Sequence, residues 1–188
     1  MGQVAEKYDR RKAEKRFAPV YETVSGDRCI YCGMPNDGKF EHQPPVYFGA
    51  FILGRNMFGP AGDDWGGPDW KGWWGDNPPY HVPTFILTHH ARASIVMEGG
   101  TTFHFVTEGI ETALAEAKAA AGGLDVKIGG GVATVRQYLL VGAIDEMHLA
   151  LSPVVLGRGE SLFAGVDLPG LGYRVTEVVP TKLATISC

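Results

Sequence analysis

Apolar residues recur along this chain at two spacings, and the changes between them divide it into strands and helices. YFGAFILG, residues 47–54, is an apolar run of strand length closed by a glycine, as expected of a strand buried on both faces. TFILT (residues 84–88) and FHFVT (residues 103–107) predict two more strands, joined by a connection with turn signals at Gly99 and Gly100. Over residues 108–121 the period becomes helical, with Ile110, Ala113, Leu114 and Ala117 as the apolar stripe. Thr107 is the expected cap, and Gly122 and Gly123 the stop.

Directly after that helix comes LDVKIGGGVATVRQYL, residues 124–139. Val126 and Ile128 predict a short buried strand, Gly129 to Gly131 a tight turn, and Val132, Val135 and Leu139 an amphipathic helix. Three residues without Cβ allow a ligand to approach the backbone, and the helix start directs N–H groups and its positive dipole end at the same point. A phosphate cradle and a plain strand-to-helix bend are both compatible with the glycines alone.

Alternation at Met147, Leu149 and Leu151 predicts a long strand over residues 146–156, and GYRVTEVVP and TKLATIS two closing strands, antiparallel across Pro180. Strands alternating with helices imply an α/β fold of three layers: a mostly parallel sheet, helices on both faces and an antiparallel C-terminal edge. Ahead of it, residues 2–17 read as a helix and residues 18–46 as turn-rich. The chain therefore divides into an atypical N-terminal segment, 1–46, and a main domain, 47–188.

The 188 residues suffice for one domain with a proper core, and 45% hydrophobic with 20% charged residues is a globular composition. A formal net charge of -4 disfavours general nucleic-acid binding; the one basic cluster, Lys7 to Arg16, is interspersed with acids and reads as a solvated helix face. No apolar run is long enough to span a bilayer, and the charged start differs from a signal peptide, so a cytoplasmic location is expected. Three cysteines make no disulfide framework.

Taken in order, GAFILGRNMFGP, TFILTHH, DVKIGGGVATVRQYL and IDEMHLALSPVVLGRGESLF resemble the dihydrofolate reductase-like superfamily, in the branch of the riboflavin-biosynthesis C-terminal reductase domain. The resemblance covers residues 47–188 and implies an NADPH-dependent reductase of a small pteridine- or pyrimidine-type heterocycle, paired as a homodimer through the strand at 146–156. It implies cofactor contacts at Gly54, Arg55, Asn56 and Met57, and at Gly129, Gly130, Gly131, Val132, Ala133 and Thr134. Thr88, His89 and His90 fall where relatives flank the adenosine and its 2′-phosphate with small hydroxyl residues, so the two histidines are a departure; phosphate donors and plain turn residues are both open for them. Arg55 suits a phosphate because a guanidinium stays charged and binds bidentately. Trp65, Trp70, Trp73, Trp74 and Tyr80 either stack on a flat substrate or cover one end of the sheet, and cover is the favoured reading.

The superfamily's opening strand and its Ser-Leu-Asp-Gly type turn have no clear counterpart here. Instead RCIYCG followed by EHQPP resembles the start of treble-clef and HNH-type zinc modules, which makes Cys29, Cys32 and His42 metal candidates. Four ligands are needed and no second Cys-x-x-Cys exists, so packing cysteines are the leading reading, with zinc and a reactive dithiol as alternatives. No side chain is assigned to catalysis. The competing functions are a non-catalytic nucleotide-binding or oligomerising domain and a zinc-dependent nucleic-acid module at the N-terminus.

Overall fold

The computed structural model describes residues 48–60, 65–67, 69–151, 155–176, 178–180 and 185–187. The helix expected over 2–17, the turn-rich segment and the metal candidates Cys29, Cys32 and His42 lie outside the described residues. The elements begin with β1 (Phe48–Gly54), the single-turn helix α1 (Arg55–Phe58), β2 (Pro83–Leu87), β3 (Ile95–Val96) and β4 (Thr102–Val106). They continue with α2 (Ile110–Ala121), β5 (Asp125–Ile128), α3 (Val132–Leu140), β6 (Leu149–Leu151), β7 (Val178–Pro180) and β8 (Thr185–Ser187).

Five strands form one sheet in the order β3-β4-β2-β1-β5. β1 pairs in parallel with both β2 and β5, β2 pairs in parallel with β4, and only β3 is antiparallel. β8 pairs antiparallel with β7, as expected, and also with β6, but among the described residues the three make a separate sheet, β6-β8-β7, instead of extending an edge of the first. The chain runs from β1 outward through β2 and β4, then returns past β1 to β5. At such a reversal open α/β sheets bind ligands in a crevice beyond the carboxyl ends of the strands, here those of β1 and β5.

Period-2 alternation divides the core cleanly. Ala50, Ile52, Phe85 and Val106 face one side, where α2 presents Ala113, Ala117 and Ala121 and α3 presents Tyr138. The alanines let α2 lie close: a Cβ added to Gly49 would fall 2.5 Å from the Ala121 carbonyl oxygen. Tyr138 is fully buried and its hydroxyl donates to the Ile110 carbonyl at 2.9 Å, tying α3 to α2.

That burial pushes the Tyr138 phenol up to about 12 from 10.0. With the folded value above the unfolded one, the neutral ring's contribution is complete below pH 10 and is lost as pH rises from 10 through about 12. Tyr138→Phe is expected to cost about 1 kcal/mol at neutral pH. It should also remove part of the alkaline decline, as read by urea unfolding across that range.

Leu53, Ile86 and Phe103 face the other side, covered by Phe58 of α1 and by Trp65, Trp70, Trp74 and Tyr80 from the loop before β2. Helical cover is therefore uneven, with α2 and α3 on one face and one turn of helix plus an aromatic loop on the other. The tryptophans are sheet cover in the main; Trp73 alone is largely exposed, at 56%. α1 stops after one turn because Gly59 and Pro60 follow it. His81 fixes the loop's exit: its N–H donates to Thr101 Oγ1 at 2.9 Å, and its Nδ1 lies 2.7 Å from the Gly99 carbonyl oxygen.

Three local expectations change. α2 starts at Ile110 behind Gly109, not behind Thr107, because the Thr107 N–H and hydroxyl both donate to the neighbouring Glu108 carboxylate at 2.9 Å. β3 lies inside the supposed connection and exists through its pairing with β4. Of the long strand expected over 146–156, the described residues form strand at Leu149–Leu151 alone, with 152–154 outside them, and His148 is exposed.

Candidate functional site

Two backbone bonds carry the β1–β5 pairing past the strand ends. Gly129 N–H donates to the Ile52 carbonyl at 2.9 Å, and Gly54 N–H donates to the Gly130 carbonyl at 2.7 Å. The glycine turn is thereby fastened to the end of β1, on the floor of the crevice. Gly54 sits so close to α3 that a Cβ on it would collide with Thr134 Oγ1. Gly130, at φ +113, occupies a conformation that favours glycine, and a Cβ there would lie 3.7 Å from Met57 Sδ.

Gly131 differs: a Cβ added to it meets nothing within 4 Å. It is the N-cap of α3 and supplies no side-chain hydrogen bond to the helix. The first-turn amides of Val132, Ala133 and Thr134 lack intrahelical partners by the geometry of any helix start. Open space before amides at a positive dipole end suits a phosphate-bearing group. The backbone here fits a dinucleotide pyrophosphate on that ground.

The other candidates gather around the same end of the sheet with different roles. Gly54 is in register with Leu87, so Thr88 neighbours Arg55 where β1 and β2 end. Thr88 is buried, and its hydroxyl accepts from the His90 N–H at 3.0 Å, which closes a local turn. His89 is exposed, as is Asn56, and Met57 is 36% exposed beside the glycine turn.

Arg55 does not extend towards the glycine turn. Its guanidinium carbon lies 4.2 Å from the Trp65 ring centroid, and Nη1 donates to the Pro60 carbonyl. Arg92 approaches the same indole at 5.2 Å and donates through Nη2 to the Trp70 carbonyl. Desolvation first, and the Arg55 charge second, lower its pKa. Arg92 was not among the residues marked by sequence. It follows β2 by five positions without any motif, and only the folding-over of the tryptophan loop brings it to Arg55.

On the second face Lys127 lies 5.0 Å from the Phe48 centroid, and burial lowers its pKa. It reaches back along β1, away from the crevice. Among the described residues no group of three or more His, Cys, Asp or Glu side chains is arranged to hold a metal ion. Nor is any helix among them long and apolar enough to cross a membrane.

A parallel sheet that reverses at β1, with a glycine turn and helix start at the reversal, defines an α/β domain of the dihydrofolate reductase-like class. Residues 35–186 match the model of the RibD C-terminal domain. The chain belongs to that family of reductase-type domains of riboflavin biosynthesis. Among solved structures, a crystal structure of a protein from Shewanella sp. PV-4, provisionally assigned to riboflavin biosynthesis, is similar at 20% identity. That similarity covers 74% of this chain and 72% of the other, with a TM-score of 0.46. No curated protein sequence matches the chain.

Proposed function

We propose that this protein is an NADPH-dependent reductase of a small, flat heterocycle of pteridine or pyrimidine type. The observation that carries the reading is the junction of Gly54, the Gly129–Gly131 turn and the uncapped start of α3 at the point where the strand order reverses. Family membership supports a reductase-type activity. When bound, the reduced nicotinamide supplies the hydride, and the protein's part is binding, orientation and exclusion of water. The amides of Val132, Ala133 and Thr134 hold the pyrophosphate, the glycine turn borders the nicotinamide, and Arg55 with the Thr88–His90 turn serves the adenosine end.

Tryptophan fluorescence titrated with NADPH and NADH tests the reading, together with NADPH oxidation in the presence of reduced and oxidised pterins and aminopyrimidines. Saturable NADPH binding is expected, and its absence sinks the proposal. Binding without turnover of any such substrate would favour a non-catalytic nucleotide-binding domain instead. Gly131→Ala separates binding from folding. The added methyl enters open space, so stability should change by about 0.5 kcal/mol or less, while NADPH affinity should fall roughly 10-fold or more because the methyl stands before the α3 amides.

The same reading includes a homodimer. Leu151, the last residue of β6, and Val155 and Leu156 are 56%, 96% and 78% exposed, apolar surface that a second copy would cover. Sedimentation of the purified chain at single-chain mass would end that part of it.

A further inference from the structure

Met57 lies where the short helix α1 meets the glycine turn. A Cβ added to Gly130 would stand 3.7 Å from its Sδ and 3.9 Å from its Cε, and apart from the chain neighbours of Gly130 no other described atom comes within 4 Å of that point. The thioether is thus the wall on the side of Gly130 where any other residue would carry a side chain. It is also within reach of solvent: Met57 is 36% exposed, whereas Met97 is buried and Met147 half-buried. Exposure matters here because a thioether takes an oxygen atom from a peroxide that can reach it, and the sulfoxide formed is polar. An apolar wall against a glycine Cα suits the thioether and not the sulfoxide, whose oxygen is best satisfied in water. The unbranched methionine stem lets the oxidised group swing out to find it.

We propose that Met57 is a reversible oxidation site, and that its oxidation releases the glycine turn from α1 and weakens ligand binding there. In the forward step a sulfur lone pair takes one oxygen of hydrogen peroxide or an alkyl hydroperoxide. The O–O bond breaks, the thioether is oxidised to the sulfoxide, and the peroxide is reduced to water or an alcohol. In the reverse step a thiol-dependent methionine sulfoxide reductase removes that oxygen as water while two thiols become a disulfide. Two links join the sulfur to the crevice. The Gly130 carbonyl accepts from the Gly54 N–H at 2.7 Å, so a turn that loses its wall pulls on its own fastening to β1. Gly131 is the N-cap of α3, so the same movement displaces the first-turn amides. The identity of the ligand rests on the dinucleotide reading above, whereas the oxidation and the release of the turn do not.

The test treats the intact chain with hydrogen peroxide and then with dithiothreitol, which returns oxidised cysteines to thiols and leaves the sulfoxide in place. Peptide mass spectrometry should find Met57 oxidised ahead of Met97 and Met147. Hydrogen-deuterium exchange of the peptide carrying Gly129 to Gly131 should become faster. NADP⁺ affinity, read by tryptophan fluorescence, should fall about 5-fold or more. Methionine sulfoxide reductase should restore both the slow exchange and the affinity. Met57→Leu keeps the apolar wall without the sulfur, so peroxide should change neither reading within that variant. If the variant folds poorly, the reversal by the reductase in the unmodified chain still decides.

Oxidation of Met97 or Met147 ahead of Met57 overturns the inference, as does unchanged exchange at the glycine turn once Met57 is oxidised. A chain whose NADP⁺ affinity survives that oxidation overturns it too, as do peroxide effects that persist in a folded Met57→Leu variant. Failure of the proposed function looks different: the chain then binds no NADP⁺ before any oxidation, and the mass and exchange readings decide the oxidation site by themselves.

Discussion

Phe58→Ala is expected to lower the unfolding free energy by about 3–5 kcal/mol, a large share of a typical domain's roughly 5–15 kcal/mol. The ring is fully buried and meets Trp65, Phe103 and Phe105 edge-on, at centroid distances of 5.9, 5.0 and 5.1 Å. It also underlies Arg92. Its loss removes the apolar payload and leaves a cavity that α1, a single turn closed by Gly59 and Pro60, is poorly placed to fill. Urea unfolding followed by tryptophan emission measures the effect, and a loss below about 1 kcal/mol would mean the aromatic layer is not a joint core.

Gly54→Ala should produce the second largest effect, about 1–3 kcal/mol, by overpacking. Gly54 has φ -74 and ψ 156, so alanine is acceptable to the backbone, and the damage comes from the collision with Thr134 Oγ1. The expectation is therefore reversible: Thr134→Ala in the same chain should recover most of the lost stability. Additive effects of the two substitutions in a double-mutant cycle would refute the contact. NADPH affinity should follow the same pattern, because the collision displaces the start of α3 from the end of β1.

Much of this arrangement was legible beforehand where short-range patterns dictate structure. The runs at 47–54, 84–88 and 103–107 became β1, β2 and β4, displaced by a residue at most, because an uninterrupted apolar stretch ending in glycine or a polar turn suits a strand covered on both faces. The unit at 124–139 became β5, the glycine turn and α3, since only glycine tolerates the Gly130 backbone and the stripe at Val132, Val135 and Leu139 suits a helix.

The failures arose where a neighbour in space decides. β3 is two residues long and is specified by β4, and the apparent alternation at 146–156 continues into the exposed Val155 and Leu156, so it was not a buried strand face. The meeting of Arg55 with Arg92 depends on a loop that folds back over the sheet, and no spacing along the chain encodes it. Family likeness located the glycine turn, Arg55 and the Thr88 turn together, and the fold shows that Thr88 is committed to its own turn while Arg55 is committed to Trp65.

The two backbone bonds that extend the β1–β5 ladder beyond the strands also set how this crevice fluctuates. Gly129 is exposed and Gly54 buried, and the amide of each is hydrogen-bonded within the central pair of strands. Their exchange with deuterium should follow the rare openings of the sheet interior and not the fraying of a surface turn. The floor is then already rigid before any ligand arrives, and binding has little chain disorder left to suppress there.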